Sequence, residues 1–232
     1  YETEQFASKM IEEEKLDCHY IITNEAGASV YSASKLAIDE LPDLDVTIRG
    51  AVSIARRVQD PLAESVKIDP KSIGVGQYQH DVNQKQLTHT LDQVVESVVN
   101  HVGVELNTAS PAILQHIAGI SGTVAKNIVA FRQENGGFTS RKQLLKVPRL
   151  GPAAFTQCAG FLRLNGAKNP LDNTSVHPES YELAERIIGE LGFTLKDLQD
   201  KSQLEALQVK LPLVDVDKMA HKLDAGIPTV RD

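Results

Sequence analysis

Two short stretches of this chain repeat one another. Ile117-Ala118-Gly119-Ile120-Ser121, followed by Ala125, Ile128 and Val129, parallels Val147-Pro148-Arg149-Leu150-Gly151, followed by Phe155, Cys158 and Ala159. Each reads as an apolar helix end, a tight glycine-bearing turn with an apolar residue at its centre, and a second helix with apolar residues at helical spacing. Such a repeat confines the fold: two helical hairpins lie in tandem, and Ile120 and Leu150 anchor their turns in a helical core. Between them Asn135-Gly136-Gly137-Phe138 predicts a turn, and Ser140 a cap for a helix holding Lys142, Leu144 and Leu145.

The repeat coincides with a reversal of charge. The chain carries −7 overall, which taken evenly argues against a polyanionic partner. Between Asn107 and Lys168, however, eight Lys or Arg stand against one acid, Glu134, for a local +7, while the residues before carry −9 and those after carry −5. The middle segment is therefore built for a different partner from its flanks.

The flanks read as a mostly helical α+β chain. An amphipathic helix over Glu4 to Leu16 precedes the β-branched run His19-Tyr20-Ile21-Ile22-Thr23, which predicts a short buried strand. Helices fit Tyr31 to Leu41 and Val46 to Gln59, and Asp60-Pro61 suits a cap followed by a first helical position. Past Gly74-Val75-Gly76, which lacks the third glycine of a dinucleotide fingerprint, a helix over Lys85 to Val102 carries Leu87, Leu91, Val94, Val95, Val98 and Val99 on one face. Beyond Lys168 come helices over Glu179 to Leu191, stopped by Gly192, and Val216 to Leu223. Tyr1 already lies in a helical pattern and Asp232 follows the start of another, so the chain reads as an internal piece of a longer protein. The expected units are residues 1–82, a connecting helix over 83–106, the hairpin pair over 107–168, and a helical segment over 169–232.

A glycine turn that opens a helix offers unpaired N–H groups, partial positive charge and no Cβ in the way, a suitable seat for a phosphate. The expected contacts are Gly119, Ile120, Ser121 and Gly122 in the first turn and Arg149, Leu150 and Gly151 in the second. Lys126 adds charge beside them, and Arg141, Lys142, Lys146 and Arg163 broaden the field. Contacts of this kind read backbone, whether DNA or RNA, and carry no base sequence.

These residues resemble a known module. Leu106-Asn107-Thr108-Ala109-Ser110, Ile117-Ala118-Gly119-Ile120, Phe131 to Phe138 and Leu144-Leu145-Lys146-Val147-Pro148 resemble the tandem helix-hairpin-helix of bacterial competence DNA receptors. With Ser53 to Glu64, Lys67-Ile68-Asp69-Pro70, Gly74 to Val82, Gly160-Phe161-Leu162-Arg163 and Val176-His177-Pro178-Glu179, the chain is more specifically similar to the Tex family of transcription accessory proteins. That resemblance implies the end of a YqgF domain of RNase H-like fold over residues 1–82, then the hairpin pair, then a helical segment leading to an S1 RNA-binding domain. The turns depart from the two-glycine pattern of the module: Ser121 stands at its second glycine in the first turn, and Arg149 at its first glycine in the second.

The resemblance to nucleases of RNase H-like fold places Glu25 and Asp60 near two carboxylate positions that would hold metal ions. As residues Glu25 fits a turn and Asp60 a helix cap, and the leading strand of such a site is not expected within the chain, so no catalytic role is expected of them. Seven histidines show no paired ligand spacing, so no metal or other cofactor is expected. Cys18 and Cys158, far apart on apolar patterns, read as buried free thiols. No apolar run approaches the roughly 18 to 20 residues of a membrane span, so no membrane partner is expected and a cytoplasmic location is. The expected function is non-catalytic binding of nucleic acid, with the transcription machinery as a further expected partner. A metal-dependent nuclease and a protein-interaction scaffold are the alternatives.

Overall fold

The computed structural model describes residues 2–231; Tyr1 and Asp232, on which the end-of-chain readings partly rest, lie outside them. The chain divides into two compact units, Tyr1–Leu91 and Asp92–Asp232.

The first unit is helical: α1 (Glu2–Glu13), α2 (Ala28–Ser32), α3 (Lys35–Glu40), α4 (Val46–Gln59), α5 (Pro61–Ser65), α6 (Pro70–Ile73) and the start of α7 (Gln84–Val102). Its starts are written in capping residues. Asp45 accepts from the N–H groups of Thr47 and Ile48, Asp60 from Ala63 and Asp69 from Lys71. The expected helix over Tyr31 to Leu41 is two helices, because Ser34 takes an extended conformation and caps Ala37. The core is small: Tyr31, Ala37 and Ile68, with Leu36 packed against them. Beside it lies a polar network in which the Tyr31 hydroxyl and the Lys67 ammonium meet Glu40, while Lys67 and Ser53 meet buried Glu64. Burial and the facing Glu40 carboxylate push the Tyr31 phenol well above its usual range.

The expected buried strand at His19 to Thr23 does not form. The run is extended and unpaired, with Ile21 69% and Ile22 74% exposed, because no neighbouring strand among the described residues of this unit offers it a ladder. Cys18, expected to be buried, is exposed for the same reason. Along α7 the inward stripe is narrower than expected. Leu87, Leu91, Val95 and Val99, at four-residue spacing, are wholly or partly covered, whereas Val94, Val98 and Val102 face outward.

The second unit contains the hairpins. After α7 come β1 (Val104–Glu105), α8 (Pro111–Leu114), α9 (Gly122–Asn135), a 3-10 turn over Arg141–Lys146, α10 (Pro152–Cys158) and β2 (Leu162–Arg163). The strands pair in parallel, Val104 beside Leu162 and Glu105 beside Arg163, so a small sheet closes the segment at its two ends. The Ser140 cap is present with Gln143 returning the bond, but the helix it starts is 3-10 rather than α. Leu106, Ile113, Leu114, Ile117, Ile128, Leu144 and Leu162 are almost fully buried beneath the hairpins. Then follow α11 (Tyr181–Glu190), α12 (Lys201–Lys210), α13 (Val216–Leu223) and α14 (Ile227–Arg231), around Leu171, Ile188, Phe193 and Leu207. Among the described residues no helix is long and apolar enough to cross a membrane.

Candidate nucleic-acid interface

The two repeated turns share one backbone. Gly119 has φ +80° and Arg149 φ +67°, both left-handed; Ile120 and Leu150 follow, each buried, with N–H groups bonded to Ile117 O at 3.0 Å and Val147 O at 3.1 Å. Ser121 (φ −76°, ψ 162°) and Gly151 (φ −80°, ψ 175°) then stand at the N-caps of α9 and α10. The departures from the two-glycine pattern therefore leave the turn geometry unchanged. Asparagines hold both turns in place. Asn100 donates to His116 O and accepts from Ala118 N, while Asn127 donates to Pro148 O. Asn107 grips the main chain of Phe138 in both directions, and Phe138 stacks on Phe131 with ring centroids 5.1 Å apart.

Gly119 is required by packing. A Cβ there would lie 2.9 Å from Gln157 Cβ and 3.2 Å from Ala154 O, so the missing side chain lets the first turn rest on α10. Around Gly151 nothing comes within 4 Å of a Cβ, leaving that turn open. Gly122 opens α9, where the N–H groups of the first turn lack intrahelical acceptors; Ser121 Oγ takes that of Val124.

The structure sorts the basic residues. Lys126, Lys142, Lys146, Arg149 and Lys168 are exposed. Lys168 counted toward the charge of the segment but was absent from the expected contacts. Arg141, expected at the interface, is wholly buried. Its guanidinium donates to Leu162 O at 2.7 Å, Val176 O at 2.8 Å, the Tyr181 hydroxyl at 3.0 Å and Thr174 O. Asp172 accepts from the Arg141 main chain and from Tyr181, whose phenol burial pushes well above its usual range. The physical reason is tertiary: Arg141 opens the 3-10 turn that Ser140 caps, and its side chain meets acceptors of β2 and of the segment after it. Arg163 is half-buried, donates to Gly160 O at 2.5 Å and lines a cavity of about 670 Å³. Burial and then the nearby Arg141 depress its pKa. Its guanidinium packs against Gly103 (φ +78°), where a Cβ would lie 2.8 Å from Arg163 Cζ. Arg132 likewise donates to Leu106 O and Ala109 O. Composition counted eight cations here, and five of them face solvent.

Two further turns also set a left-handed residue before an apolar one. Gly192 (φ +82°), buried Phe193 and the N-cap Thr194 form a third; Asp224 (φ +53°), half-buried Ala225 and Gly226 form a fourth. Here the apolar N–H reaches back five residues, Phe193 to Ile188 O and Ala225 to Ala220 O, each at 3.0 Å, so these turns match each other more closely than the first pair. Reading the sequence missed this pair. The signal was Leu191-Gly192-Phe193-Thr194, a glycine and an apolar residue before a capping threonine, obscured because Asp224 hides the glycine position of its partner.

Glu25 and Asp60 are both exposed, and Asp60 caps α5. Among the described residues no group of three or more His, Cys, Asp or Glu is placed to hold a metal ion.

Three stretches of the chain match known families. Residues 1–59 match the Tex protein YqgF-like domain, residues 99–163 the helix-hairpin-helix motif, and residues 169–232 the HHH domain. The chain is 59% identical to Protein YhgF of Escherichia coli over 219 residues, which is 94% of the chain and 27% of that protein. It is 59% identical to Transcriptional accessory protein Tex of Neisseria gonorrhoeae over 198 residues, 85% of the chain and 26% of the relative. The human S1 RNA-binding domain-containing protein 1 is 42% identical over 264 aligned residues, covering 93% of the chain and 26% of that protein. The chain thus spans about a quarter of the length of the curated relatives it matches.

Proposed function

The chain belongs to the Tex family, and from that membership and the geometry of its first hairpin pair we propose that it binds nucleic-acid backbones through phosphates, without base readout and without catalysis. The observation that carries this reading is the coincidence of two turns of one backbone form with the exposed cations Lys126, Lys142, Lys146, Arg149 and Lys168, in a segment of net +7 whose flanks carry −9 and −5. Open N–H groups at the start of α9 and exposed lysine ammonium groups attract phosphate oxygens of any sequence. The surrounding acids limit the number of contacts, so the affinity is that of non-specific binding, roughly 10⁻⁴ to 10⁻⁶ M. The relatives' names, transcriptional accessory protein and S1 RNA-binding domain-containing protein, support a setting in transcription and a partner of nucleic acid. Asp60, engaged in capping α5, supports the non-catalytic part of the reading.

Titration of matched DNA and RNA oligonucleotides at several salt concentrations tests the proposal. Scrambled sequences are expected to bind alike, and log affinity on duplex DNA to fall with log salt at a slope of about −3, as for three or four neutralised phosphates. Lys126→Ala is expected to make the slope shallower by about one. Binding that ignores salt, or that follows base sequence, refutes the reading.

A further inference from the structure

In the hairpin turns the left-handed position is held by Gly119, Arg149, Gly192 and Asp224; Lys15, after α1, is the other non-glycine residue in that conformation among the described residues. In this conformation an L side chain crowds its own carbonyl, and glycine escapes the penalty. Aspartate tolerates it because its short carboxylate bonds locally, but arginine has no such compensation. A strained residue persists when something else favours it. The Arg149 side chain is exposed and makes no hydrogen bond or ion pair among the described residues, so the fold gains nothing visible from it.

We propose that Arg149 is the phosphate-gripping side chain of the second hairpin, held in a strained backbone seat because its guanidinium, rather than the main chain, makes the contact there. The inference rests on the reading of the hairpin pair as a nucleic-acid interface and goes beyond it in dividing the work between the turns. The first seat cannot carry a side chain, since the Cβ would strike Gln157 and Ala154. Its cation comes instead from Lys126, in the second turn of α9. The second hairpin has the opposite arrangement. Helix α10 has seven residues, begins with Pro152, which has no N–H, and bears no Lys or Arg. The seat before it faces solvent, and the neighbouring Gly151 leaves the approach open. A planar guanidinium at that point can take two phosphate oxygens at once. The equivalent seat of the C-terminal pair carries the opposite charge, Asp224, inside an acidic segment.

Thermal melting and titration of a labelled mixed-sequence DNA duplex, on the full 232-residue chain, test this with wild type, Arg149→Gly, Arg149→Lys and Lys126→Ala. Arg149→Gly is expected to raise Tm by about 2 to 4 °C as the strain is relieved. The same variant is expected to lower duplex affinity roughly tenfold, and to make the salt slope shallower by about one. Arg149→Lys keeps the slope but binds more weakly than wild type, because an ammonium cannot form the fork. If Arg149→Gly binds as wild type does while Lys126→Ala weakens binding, the interface stands and this inference is wrong. A lower Tm for Arg149→Gly also overturns it, by showing that the side chain serves the fold. If wild type binds neither DNA nor RNA, both readings fall together.

Discussion

Replacing Arg141 by methionine separates charge that reaches solvent from charge that holds the molecule together. The wholly buried guanidinium supplies donors to three main-chain carbonyls, of Leu162, Thr174 and Val176, and to the Tyr181 hydroxyl, the Leu162 bond buried and the others partly so. Methionine fills part of the volume but donates to none of them. Each buried acceptor left without a donor costs about 1 to 3 kcal/mol. Relief of the buried charge offsets part of this, but the carbonyls remain, so the net loss is about 4 kcal/mol. At about 2 to 4 °C per kcal/mol for a unit of this size, the midpoint of thermal unfolding falls by roughly 8 to 16 °C. Circular dichroism melting measures that shift, and duplex titration well below both transitions measures affinity, which is expected to change little. Tyr181→Phe removes one hydroxyl from the same cluster and costs less, about 1 kcal/mol. An Arg141→Met variant that melts within about 2 °C of wild type yet binds duplex far more weakly refutes the reasoning, by showing that Arg141 reaches the ligand.

The two thiols are expected to differ sharply in reactivity. Cys18 is exposed, whereas burial pushes the Cys158 thiol up to about 12, so a maleimide at mildly alkaline pH should label Cys18 alone, and mass spectrometry of peptides will show whether Cys158 reacts in the folded protein. Asp60→Asn should leave the α5 cap largely intact, while Asp60→Ala loses about 1 kcal/mol of stability, read by chemical denaturation. Neither substitution is expected to alter cleavage of labelled substrate with Mg²⁺ or Mn²⁺, since none is expected from wild type. Metal-dependent cleavage that vanishes in Asp60→Asn contradicts the non-catalytic reading.

Local chemistry in the chain was sufficient for the parts of the fold that depend on neighbours in sequence. The caps at Asp45, Asp60 and Ser140, the helices over Val46–Gln59 and Val216–Leu223, and the burial of Ile120 and Leu150 follow from residue type and spacing. So does the resemblance to the Tex family, carried by contiguous motifs. What the sequence could not supply depends on who stands opposite. A β-branched run such as Tyr20-Ile21-Ile22 becomes a strand only where another strand completes its hydrogen bonds, and none is present in its unit among the described residues. Arg141 and Lys142 are adjacent and equally basic on paper. The tertiary structure sends one into a cage of carbonyls and leaves the other in water, because a guanidinium can satisfy several acceptors at once inside a protein. Likewise Gly119 and Arg149 share a backbone conformation. Packing against α10 alone decides that the first seat must be bare and the second is free to carry charge.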